Sequence, residues 1–414
     1  MEKDEIKTII AENISLAKKG AFRSRAAQTK ALELLAVKHI LSIVGVRRCG
    51  KSTLMKLLVR AALSETNEEN ILYLNLEHPY FNQFKQDVNN LQLIYDIFKQ
   101  GTSPDMKCYV FLDEIQFFSD WQVFIKSLYE RDEAKIVLTG SNSRLLSSDL
   151  ATMLAGRTIP LQMFPFSIEE AETQLEKYLT DGGFPEVVLN EGTPKLLAEM
   201  YYKNILYQDV IPRFGIQNTL AMENLSYYLL SQMGKEISYN TLQAIAHLDD
   251  KTAKQYISYL QDANLLYVIS NYDFSLKKLI GNKKKVYLVD PVFTQISFKN
   301  SPDTGRLFEN FVFMTLKRLG KDIYFSQNGG ECDFIIKDGL NITHAIQVCY
   351  DLTEQNRERE QKGLVIAMEK FGLTEGFIVT KDQDEQIEIA GKTIHVLNAN
   401  QFIGKFGMNS EYYV

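Results

Sequence analysis

The sequence predicts an α/β protein with a parallel sheet in its N-terminal part, followed by smaller helical and mixed domains. Two observations carry this prediction. Apolar segments typical of buried strands, SIVG, CYVFLD and KIVLTG, alternate with amphipathic helical segments in the first part of the chain. The pattern then becomes mainly helical and finally mixed. The predicted domains are 1–166, 167–215, 216–290 and 291–414.

The composition of the 414 residues is that of a folded globular protein, with 45% hydrophobic and 24% charged residues. No apolar run has the roughly 20 residues that cross a bilayer, and the polar N-terminus is unlike a signal peptide, so we expect a cytoplasmic protein without a membrane partner. The four cysteines lack CxxC spacing, which predicts reduced thiols without zinc. A net charge of −6 argues against general adhesion to nucleic acid.

A phosphate-binding loop lies in the segment SIVGVRRCGKSTLMKLLVRAA. Gly45 and Gly50 bracket four residues, and Lys51 and Ser52 follow, which matches GxxxxGK[ST]. The glycines let backbone N–H groups surround phosphate oxygens, and the following helix presents its positive end. An ATP site is therefore predicted. Lys51 is expected to contact the β- and γ-phosphates and Ser52 to ligate Mg²⁺, while Thr53 is expected to bind the nucleotide as well.

Two carboxylates follow another apolar strand, in the segment CYVFLDEIQ. A buried parallel strand delivers such residues to the edge of the sheet where ligands bind. Asp113 is therefore predicted to hold Mg²⁺, through water. Glu114 is predicted to orient or deprotonate the water that attacks the γ-phosphate.

A third strand, in KIVLTGSNSRLL, ends in Ser141 and Asn142, and a helix then leads to another strand in AGRTIPLQMF. In this order the N-terminal part resembles the AAA+ ATPase core. The resemblance implies that Asn142, or alternatively Ser141, is a sensor of the nucleotide. It also implies that Arg157 is an arginine finger for a neighbouring subunit, and hence a homo-oligomer. The alternative is that Arg157 is a cation at a helix C-terminus.

The middle of the chain predicts a helical lid at 167–215 and a winged helix at 216–290. In the winged helix, two short helices joined by a tight turn run into a strand. The wing is predicted as two strands around a Gly281–Asn282 turn in SLKKLIGNKKKVYLVD. Positive charge is concentrated there, on Lys277, Lys278, Lys283, Lys284 and Lys285. We predict that this wing contacts double-stranded DNA, and the alternative is a solvated basic hairpin.

Three segments of the C-terminal part carry polar residues at regular positions. GRLFENFVFMTLKRLG carries Glu309, GGECDFIIK carries Glu331 and Asp333, and HAIQVCYDL carries Gln347 and Cys349. Period-two alternation places Glu331 and Asp333 on one face of a strand. In this order residues 291–414 resemble a PD-(D/E)XK restriction-endonuclease-like domain. The resemblance implies an acid where Gln347 stands and a lysine where Cys349 stands, so the predicted nuclease site is vestigial.

A replacement for the missing lysine is available on the next predicted helix, where Arg357, Arg359 and Lys362 are candidates. Metal-assisted hydrolysis needs clustered negative ligands and a positive charge beside the phosphate. Nuclease activity therefore stays open as an alternative.

Across nearly its whole length the chain resembles a prokaryotic family of AAA+ ATPases with a C-terminal winged helix and a restriction-endonuclease-like domain. The leading hypothesis is an ATPase that binds and hydrolyses Mg-ATP and serves as an ATP-dependent switch or remodeller of DNA or of a protein partner. One alternative is a metal-dependent nuclease. Another is a non-catalytic scaffold for nucleic acid or protein that is gated by ATP.

Overall fold

The computed structural model of this chain describes residues 3–141, 153–190, 193–297, 303–327 and 329–407. The chain divides into two units. The N-terminal unit contains residues 1–166 and 262–264, and the C-terminal unit contains residues 167–261 and 265–414.

A five-stranded sheet forms the centre of the N-terminal unit. Its strands are β1 (Ile40–Gly45), β2 (Ile71–Asn75), β3 (Tyr109–Asp113), β4 (Lys135–Gly140) and β5 (Thr158–Met163). They are all parallel, in the order β2-β3-β4-β1-β5. Strands β1, β3 and β4 are buried along their whole length, as their continuous apolar sequences predict. The predicted α/β fold with a parallel sheet is confirmed.

The helices described in this unit are α1 (Lys3–Lys19), α2 (Ala26–Leu35), α3 (Lys51–Ala62), α4 (Asn89–Lys99) and α5 (Trp121–Arg131). Helix α3 buries a stripe at helical spacing, which includes Leu54, Leu58 and Ala62. Helix α1 packs against α3 and β2 through its own isoleucine stripe. The strand order puts β4 between β1 and β3. The carboxyl ends of these three strands therefore share one edge of the sheet.

Short helices begin the C-terminal unit. They are α6 (Ile168–Ala171), α7 (Leu175–Asp181), α8 (Pro185–Leu189) and α9 (Pro194–Asn204), and a π-helical segment, Ile205–Val210, follows. Asp290 anchors the chain between α7 and α8, because its carboxylate accepts hydrogen bonds from the backbone N–H groups of Gly183 at 2.8 Å and Val292 at 3.0 Å. Burial raises the pKa of Asp290 to about 7. A Cβ on Gly182 would lie 1.7 Å from Asp290 Oδ1, so only glycine fits there.

A three-stranded antiparallel sheet follows, in the order β6-β8-β7. The helices and strands of this region are, in chain order, α10 (Thr219–Ser231), β6 (Glu236–Ile237), α11 (Tyr239–Ala246), α12 (Asp250–Asp262), β7 (Leu266–Ser270), α13 (Leu276–Gly281) and β8 (Lys284–Leu288). The prediction of two wing strands around Gly281–Asn282 is wrong. The segment before this turn is helix α13, because LKKLI lacks the period-two alternation of a strand and consists largely of helix formers. Strand β8 pairs with β7 and β6 instead.

A six-stranded mixed sheet completes the C-terminal unit, in the order β13-β14-β12-β11-β10-β9. Its elements are α14 (Thr304–Lys317), β9 (Asp322–Ser326), β10 (Cys332–Asp338), β11 (Asn341–Val348), α15 (Glu354–Phe371), β12 (Glu375–Thr380), β13 (Glu385–Ile389), β14 (Lys392–Asn398) and α16 (Ala399–Phe406). Helix α15 packs on β10, β11 and β12 over a core that includes Ile335, Leu364 and Ile378. Among the described helices, none is both long enough and apolar enough to cross a membrane.

Helix α14 is fixed against β8 by one buried amide. Asn310 Oδ1 accepts a hydrogen bond from the backbone N–H of Leu288 at 2.8 Å, and Asn310 Nδ2 donates to the carbonyl of Leu288 at 3.1 Å. The side chain of Asn310 therefore pairs with the backbone N–H and C=O groups of Leu288, as a neighbouring strand would. This contact sets the register of α14 and brings Glu309 beside Lys285 and Tyr287 of β8.

Candidate functional site

The loop between β1 and α3 needs glycine at both ends. A Cβ on Gly45 would lie 2.1 Å from the carbonyl oxygen of Met163, so a larger residue would displace the neighbouring strand. Gly50 has φ 104°, in the region that favours glycine, and it is the N-cap residue of α3. No side chain caps this helix, so its first N–H groups face the loop. The segment has the backbone form of an anion cradle.

Lys51 lies inside this loop and is only 3% exposed. Its ammonium group donates to the carbonyls of Gly45 at 3.1 Å and Val46 at 3.2 Å, and it lies 3.6 Å from a carboxylate oxygen of Glu114. The structure thus brings the predicted phosphate-binding lysine together with a carboxylate that follows β3.

Asp113 and Glu114 are held at the end of β3 by Thr139 of β4. The Thr139 hydroxyl donates to the Asp113 carboxylate and accepts from the backbone N–H of Glu114 at 2.9 Å. Burial, together with the charge of Glu114, raises the pKa of Asp113 to about 6, although hydrogen bonds from Thr139 and Ser52 and the charge of Lys51 lower it. The two residues predicted to hold Mg²⁺, Ser52 and Asp113, are therefore direct neighbours.

Glu114 adopts a left-handed backbone conformation, with φ 57° and ψ 51°. A non-glycine residue in this region costs about 1–3 kcal/mol and persists where the surroundings hold it, often at active sites. Gln116 donates to the Glu114 carboxylate and, at 3.4 Å, to the hydroxyl of Ser141. Ser141, the alternative sensor, is buried near Glu114. Asn142 lies outside the described residues.

Three residues of this site escaped the sequence-based prediction: Arg25, Gln116 and Thr139. The only signal for Thr139 is a hydroxyl at the end of an apolar strand, and Gln116 follows the two carboxylates without any motif. Arg25 is 5% exposed and donates to the carbonyls of Cys49 and Phe164, each at 2.8 Å. It thereby joins the loop to the chain after β5, a link that no local pattern indicates. The thiol of Cys49 is itself fully buried, and burial raises its pKa.

Arg157 lies away from this loop. In the register of β1 with β5, Ile40 is opposite Thr158 and Gly45 is opposite Met163, so Arg157 is at the other edge of the sheet. Its guanidinium lies 3.4 Å from both a Glu130 carboxylate oxygen and the carbonyl of Met153. In its own chain Arg157 does not reach the residues of the loop between β1 and α3.

A second group of charged side chains lies in the C-terminal unit. The ammonium group of Lys285 is 2.8 Å from Glu331, 3.2 Å from Asp333 and 3.5 Å from Glu309. We call these three acids the carboxylate cluster. Lys285 is 3% exposed, so its prediction as a DNA contact is wrong. The side chain of Lys285 points towards the protein interior, because alternate residues of a strand such as β8 face opposite sides.

The carboxylate cluster is also bound by neutral donors. Tyr287 donates its hydroxyl hydrogen to Glu309 at 2.6 Å, and the backbone N–H of Val348 donates to Asp333 at 3.0 Å. Burial, and then the charge of Asp333, raises the pKa of Glu309 to about 7. Burial also raises the pKa of Asp333. Burial acts in the same direction on Glu331, but the charges of Lys285, Arg306 and Arg359 together lower the pKa of that residue. Burial therefore opposes the ionisation of the two most buried acids, and Lys285 favours it.

Gln347 and Cys349 do not supply the charges that the nuclease resemblance implies at their positions. Gln347 donates to Glu360 at 2.6 Å and accepts from the backbone N–H of Asp333 at 3.3 Å, so both ends of its amide are engaged. Burial raises the pKa of Cys349 to about 11, which leaves a neutral thiol at pH 7.

The basic residues predicted as substitutes on α15 have other contacts. Arg357 pairs with Glu385, and Arg359 pairs with Glu360 while its side chain stays 79% exposed. Lys362 lines the same cleft as the carboxylate cluster, which has a volume of about 640 Å³. Within the part of the chain that the structure describes, no three or more His, Cys, Asp or Glu side chains are arranged to hold a metal ion.

The other predicted wing lysines differ in exposure. Lys277, Lys278 and Lys283 are exposed. Lys284 is partly buried and donates to the hydroxyl of Ser270 at 2.7 Å and to the carbonyl of Leu279 at 2.9 Å. The surface available to a DNA backbone is therefore smaller than the sequence predicts.

The sheet and the loop geometry agree with a comparison of the sequence with known families. Residues 37–172 match the AAA domain family. This AAA domain region spans β1 to β5 and contains the loop, both carboxylates and Thr139. Residues 172–298 match a second family, described as a domain of unknown function (DUF8612).

Relatives of similar length extend beyond the AAA domain region. An uncharacterized protein of Methanocaldococcus jannaschii is 29% identical, and the match covers 92% of each chain. An uncharacterized protein of Haemophilus influenzae is also 29% identical, over 84% of this chain and 88% of the relative.

Among solved structures, Drosophila ORC bound to AT-rich DNA and Cdc6 matches at a TM-score of 0.23 and 10% identity, over 69% of this chain and 90% of that chain. C. elegans PCH-2 matches at a TM-score of 0.27 and 15% identity, over 62% of this chain and 69% of that chain. At these TM-scores neither match carries an argument about function.

Proposed function

We propose that this protein is an ATPase that binds Mg-ATP at the loop between β1 and α3 and hydrolyses it. The observation that carries the proposal is the meeting of predicted residues at one edge of the sheet. Lys51 lies 3.6 Å from Glu114, and the hydroxyl of Ser52 is close enough to Asp113 to lower the pKa of that carboxyl group. The match of residues 37–172 to the AAA domain family supports the same assignment.

The residues present fit a magnesium-bound nucleotide. The uncapped N-terminus of α3 and the glycines of the loop suit phosphate oxygens, while Ser52 and Asp113 are the oxygen ligands that Mg²⁺ prefers. When bound, Mg²⁺ neutralises charge that develops on the phosphates. Lys51 holds the phosphates, and Glu114 orients the attacking water and accepts its proton. Thr139 and Gln116 position Glu114.

Nucleotide binding tests this proposal directly. We expect Lys51→Ala to weaken Mg-ATP binding at least tenfold, because it removes the ammonium group inside the loop. Lys56→Ala, on the same helix, is the matched control and should bind as the wild type does. Isothermal titration calorimetry measures both. Equal binding by the wild-type and Lys51→Ala proteins would contradict the assignment of the loop.

We propose further that ATP turnover drives a switch or remodelling step, with Arg157 completing the site of a neighbouring copy. The position of Arg157 at the far edge of the sheet supports action between chains, since it does not reach the loop of its own chain. Sedimentation of the protein with ATP tests this role. A monomer with full ATPase activity would contradict it.

The element order supports the proposed identities of the later domains. Helices α10 to α12 with the sheet β6-β8-β7 suit a winged helix. The succession α14-β9-β10-β11-α15-β12 suits a restriction-endonuclease-like fold. Both assignments are proposals that rest on topology.

DNA binding is a second candidate function, favoured by the exposure of Lys277, Lys278 and Lys283. We expect replacement of all three by glutamine to weaken binding to double-stranded DNA. The log–log salt dependence should become shallower by about 0.9 for each phosphate that the variant no longer neutralises. Fluorescence anisotropy at several salt concentrations measures both effects.

Three lysines of the N-terminal unit, each with a side chain that is 43–49% exposed, provide the charge-matched control for this DNA experiment. In the control protein Lys18, Lys30 and Lys126 are replaced by glutamine. Equal losses of binding in both triple variants would contradict a specific DNA surface.

A further inference from the structure

We infer that the ammonium group of Lys285 is the resident cation of the carboxylate cluster and takes the place that a divalent metal ion would need there. Lys285 belongs to β8, whereas Glu309 belongs to α14; Glu331 directly precedes β10, and Asp333 is its second residue. The cation therefore comes from a different sheet than two of its three partners.

The contact geometry matches the donor capacity of lysine. An ammonium group has three N–H donors and no acceptor. Its nitrogen lies 2.8, 3.2 and 3.5 Å from oxygens of Glu331, Asp333 and Glu309. One donor is available for each carboxylate, and the first two distances are those of ordinary hydrogen bonds. One oxygen of each carboxylate is thereby in contact with Lys285.

Burial keeps Lys285 in this position. Its side chain is 4% exposed, and the side chains of Asp333 and Glu309 are 9% and 13% exposed. Removing such ions from water costs several kcal/mol each, which only the opposite charges offset. The Lys285 ammonium also lies 5.4 Å from the centre of the Phe325 ring. The contacts of Lys285 are therefore all with groups of the protein interior or of the cleft wall.

A metal ion bound among these carboxylates would lie close to the charge of Lys285. Mg²⁺ and Ca²⁺ bind oxygens at about 2.0–2.6 Å, so an ion at the same carboxylates would lie within about 5 Å of the ammonium and be repelled by it. Gln347 adds no negative charge, and its amide is engaged with Glu360 and the backbone of Asp333. These contacts agree with the lack of a metal-binding arrangement among the described residues.

The ammonium group limits the chemistry that this cleft can perform. An ammonium group neutralises carboxylates, but it does not generate a metal-bound hydroxide or coordinate two phosphate oxygens. The carboxylate cluster with Lys285 therefore holds β8 against α14 and β10, and it does not perform metal-assisted hydrolysis of nucleic acid.

Mn²⁺ binding without nucleotide, followed by electron paramagnetic resonance, tests the inference. Lys285→Met removes the charge and keeps most of the side-chain length. We expect it to bind one Mn²⁺ at least tenfold more tightly than the wild type, and Asp333→Asn added to it should abolish this binding. The matched control is Lys283→Met, at an exposed lysine of the same run, which should leave Mn²⁺ binding at the wild-type level. Failure of a folded Lys285→Met protein to gain Mn²⁺ binding would overturn the inference.

If Lys285→Met does not fold, a comparison of Mn²⁺ binding by the wild-type and Asp333→Asn proteins tests the inference instead. Mn²⁺ binding that is the same in the wild-type and Asp333→Asn proteins would support the inference. Binding to the wild type that Asp333→Asn abolishes would overturn it. Mn²⁺-dependent cleavage of plasmid DNA that Asp333→Asn abolishes would also overturn it and would make Lys285 the cation of a metal-dependent nuclease.

Discussion

Glu114→Gln is expected to lower the rate of ATP hydrolysis by about 10²–10⁴-fold and to leave Mg-ATP binding intact, since general base catalysis contributes on this scale. Glutamine keeps the size and one acceptor oxygen but cannot take a proton from water. The left-handed backbone of Glu114, its N–H donated to Thr139 and its carboxylate bound by Gln116 do not require the negative charge. Glu114→Gln also removes the charge that lies 3.6 Å from the buried Lys51 ammonium, which keeps its hydrogen bonds to the carbonyls of Gly45 and Val46. The larger effect is therefore expected on turnover, and the thermal unfolding of the variant is measured beside it.

Phosphate release and calorimetry, performed on the same preparations, separate turnover from binding. Glu77→Gln is the matched control, because Glu77 follows the neighbouring strand β2 and pairs with Arg47, a residue of the loop between β1 and α3. It should change turnover far less than Glu114→Gln does. Turnover within a few fold of the wild type for Glu114→Gln would show that another group activates the water.

The second large effect is expected in stability. Lys285→Met should lower the free energy of unfolding of the C-terminal unit by about 3–5 kcal/mol, because removing one partner of a buried ion pair leaves uncompensated charge. Lys283→Met should change it by less than about 1 kcal/mol, since the Lys283 side chain is 61% exposed and its ion pair with Glu236 lies at the surface.

This loss should depend on pH. Lys285 lowers the pKa of Glu309, which burial holds at about 7, so its removal raises that pKa further. A carboxyl group whose pKa is higher in the folded state binds more protons there than in the unfolded chain, and stability then falls as pH rises. The difference between the Lys285→Met and wild-type proteins should therefore grow as pH rises through about 7, where Glu309 ionises in the wild type and stays protonated in the variant.

Urea unfolding followed by hydrogen–deuterium exchange in β8 and β10 measures the C-terminal unit. The chain's single tryptophan, Trp121, lies in the N-terminal unit, and its fluorescence serves as an internal control. Equal destabilisation by Lys285→Met and Lys283→Met, or a loss that does not vary with pH, would contradict the ionic role of Lys285.

The structural features behind these two predictions were not equally predictable from the sequence. The loop from Gly45 to Ser52 is contiguous, and its glycines are needed by the local backbone, so the motif alone predicts the site. Asp113 is found because a buried parallel strand has one carboxyl end. Arg25 could not be found, since it reaches the loop from a segment that carries no pattern.

The three consecutive lysines at 283–285 show the same limit of prediction from sequence. Their sequence indicates positive charge, but not that Lys283 is exposed while Lys285 is buried among acids. Period-two alternation would separate neighbouring lysines only once the bounds of β8 are known. The helix α13, where a wing strand is predicted, shows that these bounds depended on the partners of β8.

The sequence by itself determined the parallel α/β core, the phosphate-binding loop and the two carboxylates that follow β3, because each depends on residues close in the chain or on one strand's direction. Only the tertiary structure decided the place of Lys285, which is 24 residues from Glu309 and 48 from Asp333. The physical reason is that such ion pairs follow from the packing of separate sheets and helices. That packing depends on contacts such as the one between Asn310 and Leu288, which no local pattern encodes.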